Sequence, residues 1–150
     1  EKVHDYIQWL FPIDEPSRHH HGAPLLTPEL RESAVADSDV VASVRRNFER
    51  FLDFLGLELC MDAGERGPTP CVVKKAPHYD ERVPCCWYTR FSGNHNWLRI
   101  SRVLRCLRLL GLDDEAAAFL ACLEDLHAEG VPCEAALGFW RKRAAATASE

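Results

Sequence analysis

The sequence predicts a mostly α-helical fold: a single compact helical domain of about five to six helices with one long irregular loop. Three observations predict it. Apolar residues recur at i, i+3, i+4 and i+7 in several separate windows, capping residues stand before those windows, and glycines close them. Prolines interrupt the one stretch that lacks such a period, and no series of alternating strands replaces it.

Composition agrees. Hydrophobic residues make up 47% of the 150 and charged residues 27%, far from the low-hydrophobicity, high-charge signature of disorder. A chain of this length buries about two thirds of its unfolded surface without metals or disulfides, so one core suffices. The net charge of -5, from 18 basic and 23 acidic residues, argues against a protein that coats nucleic acid nonspecifically. No apolar run approaches the roughly 18 to 20 residues of a transmembrane span. The chain begins at Glu1 without a methionine or a signal segment and reads as a fragment or processed chain. The domain is assigned to 1–143 and an Ala-rich tail to 144–150.

The first element, in "KVHDYIQWL", is the end of a helix: Val3, Ile7 and Leu10 recur at i, i+4 and i+7, and Pro12 stops it. "DEPSRHHHGAP" (14–24) has turn formers and no apolar period, hence an exposed loop. A second helix starts at "TPEL", with Thr27 as cap, Pro28 at the first helical position and Glu29 at the positive end of the dipole. Asp37 or Ser38 caps the third, whose Val41, Val44, Phe48, Phe51, Leu52 and Leu55 form a wide apolar stripe closed by Gly56.

From 57 to 93 the pattern breaks down. Pro68, Pro70, Pro77 and Pro84 interrupt any ladder, although "CVVKK" can form a short strand. Asn94 or Asn96 then caps a helix over about 97–110, with Ile100, Val103, Leu104, Leu107 and Leu110 inward and Arg99, Arg102, Arg105 and Arg108 on the other side, before Gly111. "LDDEAAAFLACLEDLHAEG" forms the next helix, with Phe119, Leu120, Leu123 and Leu126 inward and Gly130 as stop. A last helix starts at Pro132, carries Leu137, Phe139 and Trp140, and dissolves after Arg143.

Four of these pieces occur in a fixed order: "YIQWLFP" (6–12), "PLLTPEL" (24–30), "RRNFERFLDFLGLEL" (45–59) and "NHNWLRISRVLRCLRLLGL" (94–112). In that order and at those distances they resemble the opioid growth factor receptor domain family over about residues 4–126. Family members carry a further stretch before "YIQWLFP", so the N-terminal part of the family domain is expected to be absent here. The resemblance implies an all-helical domain whose named member is a receptor for an opioid peptide, Met-enkephalin, associates with the nucleus and restrains cell growth. It implies an intracellular, nuclear or perinuclear location, in keeping with seven cysteines in an odd set that suits a reducing compartment.

Candidate sites divide between binding and structure. Tyr6 and Trp9 can form an aromatic peptide-binding surface, but core packing of Ile7, Leu10 and Phe11 is the primary role expected of their helix. Asn94, His95, Asn96, Arg99 and Arg102 can gather around a helix start as a phosphate or carboxylate site. The ordinary account makes the asparagines caps, His95 a loop histidine and the arginines a solvated face, and it is preferred. His19, His20 and His21 do not converge as metal ligands, and Cys60, Cys71, Cys85 and Cys86 with His78 lack paired C-x2-C knuckles, so no metal or cofactor is expected. Cys60 to Cys71 and Cys71 to Cys85 are the disulfide candidates, against a preferred reading of free thiols.

No nucleophile elbow, P-loop, dinucleotide fingerprint or H-E-x-x-H helix is present. Cys85 or Cys86 with His78 or His95 offers a thiol and base, a pairing that arises by chance among seven cysteines and seven histidines. The resulting expectation is a non-enzymatic domain that recognises a peptide or protein partner and not nucleic acid. The alternatives are an accessory or scaffold subunit that docks into a larger assembly through its arginine helix and long loop, and, more weakly, a thiol or zinc enzyme.

Overall fold

Helix α1 spans Tyr6–Leu10, α2 Pro28–Ala36 and α3 Ser38–Leu55; strands β1 and β2 follow at Leu57–Met61 and Cys71–Lys75. After them come α4 at Tyr79–Arg82, a π-helical turn at Val83–Trp87, α5 at His95–Leu109, α6 at Asp113–Ala128 and α7 at Glu134–Ala145. The computed structural model describes residues 6–17, 21–61, 71–88, 94–131 and 133–145. Val3, His19, His20, Pro68, Pro70, Gly93, Pro132 and the tail beyond Ala145 lie outside the described residues. The fold is mostly α, as expected, with seven α-helices among the described residues.

Local signals set most boundaries. The Thr27 hydroxyl accepts from the Leu30 amide at 3.3 Å with Pro28 at the first helical position, and the Asp37 carboxylate accepts from the amides of Asp39 and Val40. Backbone and Thr27 hydrogen bonds also hold the Glu29 carboxyl below its ordinary pKa, as expected of an acid at a helix start. Gly56 and Gly111 close α3 and α5 in the left-handed region, at φ 78° and 73°.

The core forms around α5, where Ile100, Val103, Leu104, Cys106 and Leu107 are fully buried. This helix packs on α6 and α7, while α6 covers β2. Helix α3 reaches α6 through an edge-on pair, Phe48 and Phe119, with ring centroids 5.4 Å apart, and meets the end of α1 through Phe51 and Phe11 at 6.0 Å. Such pairs add about 0.5–1.5 kcal/mol beyond the area they bury.

Two expectations change. The stretch from 57 onward is not one irregular loop: β1 and β2 pair antiparallel from Leu57 opposite Lys75 to Met61 opposite Cys71, and α4 and the π-helical turn follow. Helical periodicity misses five-residue strands and a one-turn helix. Leu10 is partly exposed, because α1 turns Ile7, Gln8 and Phe11 inward, and at about 100° per residue Leu10 falls outside that arc. Phe139 is 66% exposed because Leu137 and Trp140, three apart, take the inward face of α7.

This supposedly loose stretch caps α3. His78 Nε2 lies 3.0 Å from the Asp53 carbonyl, the Cys86 thiol donates to the Phe54 carbonyl at 3.3 Å, and the Trp87 indole donates to the Leu55 carbonyl at 2.8 Å. The last two carbonyls of α3 are thereby satisfied, while that of Asp53 also accepts from the Gly56 amide at 3.0 Å. Trp87 is itself completely buried.

Gly56 and Gly111 make a matched test. Alanine at either carries the left-handed penalty of about 1–2 kcal/mol. At Gly56 an added Cβ also falls 2.8 Å from the Tyr79 Cα, whereas at Gly111 nothing lies within 4 Å. Urea unfolding is expected to show Gly56→Ala losing clearly more stability than Gly111→Ala; equal losses would remove the close α3–α4 approach from the account.

Candidate functional site

At the N-terminus of α5, Asn94 accepts from the Asn96 amide at 2.9 Å through Oδ1, which makes it the cap. Its Nδ2 and the Asn96 Nδ2 both donate to the Cys86 carbonyl, at 2.6 and 3.2 Å. Asn96 Oδ1 in turn accepts from Arg99 Nη1 at 3.1 Å. Asn94, Asn96 and Arg99 are all buried and these groups are occupied with one another. His95, between them in sequence, is exposed.

The arginines are not a solvated face. Arg99 and Arg105 are 6% and 4% exposed. The Arg99 guanidinium lies over the Tyr6 ring, 5.3 Å from its centroid. Arg102 Nε donates to the Phe11 carbonyl at 2.8 Å, and Arg105 forks onto Asp14, with Nε 3.1 Å from Oδ1. From α7, Arg143 Nη2 donates to Glu15 at 2.8 Å.

Partners advance along the N-terminal segment in the same direction as the arginines advance along α5, so the two run side by side. Spacing by three shifts each arginine about 60° around the helix, which carries Arg108 away from this segment. Arg108 bonds Asp113 at the start of α6 instead, at 2.7 Å.

Charge states follow from these contacts. Burial works to raise the Asp14 pKa, but the Arg105 hydrogen bond and charge outweigh it, and the net shift is downward. The Arg143 hydrogen bond lowers that of Glu15 despite some burial. Desolvation lowers the Arg102 pKa.

Tyr6 and Trp9 part company. Tyr6 is half-buried beneath Arg99, while Trp9 is 55% exposed on the outer side of α1 beside Leu10. The seven candidate residues thus form one neighbourhood, α1 against the first turns of α5, in which Trp9 and His95 face outward. Sequence reading missed the Cys86 carbonyl that anchors both asparagines, and also the Arg45–Glu115 pair, in which Arg45 Nε donates to the buried Glu115 at 2.7 Å.

Elsewhere, an open cleft of about 360 Å³ between α3 and the hairpin is lined by Glu49, Asp53, Glu58, Ala76, Pro77 and His78, and holds none of the seven candidate binding residues. Among the described residues no three His, Cys, Asp or Glu side chains are grouped to hold a metal ion. No disulfide joins any of the seven cysteines, all of them among the described residues. The strand register, with Cys60 opposite Val72 and Cys71 opposite Met61, points Cys60 and Cys71 to opposite faces of the hairpin, which explains why they do not bridge. Cys106 and Cys122 behave as small apolar residues, their thiols pushed up to about 12 by burial. Among the described residues no helix is long and apolar enough to cross a membrane.

A mostly α domain with one small hairpin, and an N-terminal segment clasped to its central helix by arginines, defines the class. The model of the opioid growth factor receptor conserved region matches residues 1–129, and the chain belongs to that family. The rat opioid growth factor receptor is 35% identical over 113 residues, 75% of this chain and 18% of the relative. The human receptor is 34% identical over the same share of this chain and 15% of its own length. Opioid growth factor receptor-like protein 1 of Xenopus tropicalis is 30% identical over 76% of the chain and 20% of its own length. The chain therefore spans about a fifth or less of these relatives. No solved structure matches it.

Asp14 and Glu15 titrate lower in the folded protein than their ordinary values of 3.8 and 4.5. Their stabilisation is therefore complete above those values and is lost as pH falls through the lowered folded ones. Thermal melts between about pH 5 and pH 2 are expected to fall less steeply for an Asp14→Asn, Glu15→Gln variant than for the parent chain. Parallel slopes would contradict the assignment of the acid-labile contacts to this segment.

Proposed function

We propose that this chain is a non-enzymatic recognition domain that binds a peptide or protein partner on the outer face of α1. The observation that carries the reading is Trp9, more than half exposed on a helix whose inner face is fixed by Ile7 and Phe11 and by the contacts of Arg99 and Arg102. An indole held on a rigid support offers large contact area at little entropic cost, which is why tryptophan is enriched among the residues that dominate binding energy.

In this reading Trp9 and Leu10 make the apolar contact, and the Tyr6 edge and His95, one helical turn before Arg99, border it. Asn94, Asn96, Arg99 and Arg102 act from beneath by fixing α1 against α5. Curated relatives bear the name opioid growth factor receptor, which supports an opioid peptide as ligand. Seven cysteines without a disulfide support a reducing, intracellular setting. Docking into an assembly through the arginines of α5 would first require α1 to be lifted off them, so that alternative gains nothing from the geometry.

Calorimetric titration with Met-enkephalin and with a scrambled peptide tests the reading. Saturable binding of the first alone is expected, weakened about tenfold or more by Trp9→Ala with the helical circular dichroism unchanged. Absence of saturable binding, or equal affinity in the variant, would overturn it.

A further inference from the structure

Cys85 and Cys86 stand apart from the other thiols. They are consecutive, they lie in the π-helical turn Val83–Trp87, and their sulfurs are 3.6 Å apart. Successive side chains on an α-helix diverge by about 100°, and the wider π turn reduces that angle, which brings neighbouring sulfurs onto one side. Cys85 is exposed and Cys86 is buried just behind it, so the pair has an open side and a closed side. Each thiol rests on a carbonyl at 3.3 Å, Cys85 on that of Arg82 and Cys86 on that of Phe54.

Two fates are open to neighbouring thiols, and geometry separates them. A direct disulfide normally spans Cα atoms about 4.4–6.8 Å apart, whereas consecutive Cα atoms are held about 3.8 Å apart by the peptide between them. The turn is therefore poorly suited to a sulfur–sulfur bond. An inserted atom bonded to each sulfur at about 2.3 Å, the length of a zinc–thiolate bond, would hold them about 3.4–3.8 Å apart at pyramidal to tetrahedral angles, a range that includes the spacing already present.

Zinc seeks four ligands, and among the described residues no third His, Cys, Asp or Glu side chain joins this pair. A trivalent organoarsenical needs two thiols, its third position being filled by carbon. We propose that Cys85 and Cys86 form a bidentate thiol site for a trivalent, thiophilic metalloid centre of this class. The exposed Cys85 captures the centre and Cys86 closes the chelate. With an arsine oxide two S–H bonds break, two As–S bonds form, and the oxide oxygen leaves with both protons as water; no oxidation state changes.

Other thiols lack the arrangement. Cys106, Cys122 and Cys133 are buried, and Cys60 and Cys71 face opposite sides of the hairpin. Binding here would also reach the start of α5, because the Cys86 carbonyl receives both Asn94 and Asn96.

The test incubates the full chain with one equivalent of phenylarsine oxide, challenges it with excess mercaptoethanol or with a dithiol, and follows intact mass and the modified peptide. One arsenical is expected on the peptide holding both cysteines, retained against the monothiol and released by the dithiol, because the second bond is intramolecular. Cys85→Ser, a change at an exposed position, is expected to cut retention about tenfold or more, and Cys60→Ser to leave it unaltered. Release by the monothiol, retention in Cys85→Ser, or an adduct on another pair of cysteines would overturn the proposal.

Discussion

Arginine side chains from α5 hold the N-terminal segment in place, and the candidate binding face exists because they do. Five residues of α1 are described, Tyr6–Leu10, and a segment of that length does not hold a direction in water by itself. Ile7 and Phe11 give it an apolar anchor, but two side chains fix neither its direction nor its register. Arg99 on the Tyr6 ring, Arg102 on the Phe11 carbonyl and Arg105 on Asp14 supply three further points along one line. With those points set, Trp9 has nowhere to turn but outward.

Burying arginine is costly, and a buried ion pair by itself is weak support for stability. What the arrangement secures is position: the guanidinium fork of Arg105 fits a carboxylate in few geometries, and Arg102 Nε donates to the carbonyl at the end of α1. The same logic operates at the cap of α5. There the Cys86 carbonyl collects Asn94 and Asn96, while Cys86 and Trp87 cover the last carbonyls of α3. Polar contacts of modest net worth thus align the apolar faces, and burial of residues such as Phe48, Leu104, Leu107 and Phe119 supplies the bulk of the stabilisation.

Legibility of the sequence followed the range of the interactions. Helices α2, α3, α5 and α6 were readable because Thr27, Asp37, Asn94, Gly56 and Gly111 act within a turn or two of themselves. Strand β1 was not, because "LELCM" acquires meaning only opposite β2. The arginines were misread for the same reason: Arg102 and Arg105 meet partners 91 positions away, and a regular basic spacing on a helix looks the same whether water or a carboxylate receives it. Of the candidate site, the Asn94 cap was local and visible, whereas the separation of Tyr6, pinned beneath Arg99, from exposed Trp9 depends on how α1 is rotated against α5.

A double-mutant cycle between Arg105 and Asp14, using Arg105→Met and Asp14→Asn with equilibrium unfolding of all four proteins, tests the clasp most directly. The account predicts a coupling of more than about 1 kcal/mol, beyond what an exposed ion pair contributes, together with faster amide exchange in α1 in both single variants. A coupling within about 0.3 kcal/mol of zero, with α1 exchange unaltered, would contradict it.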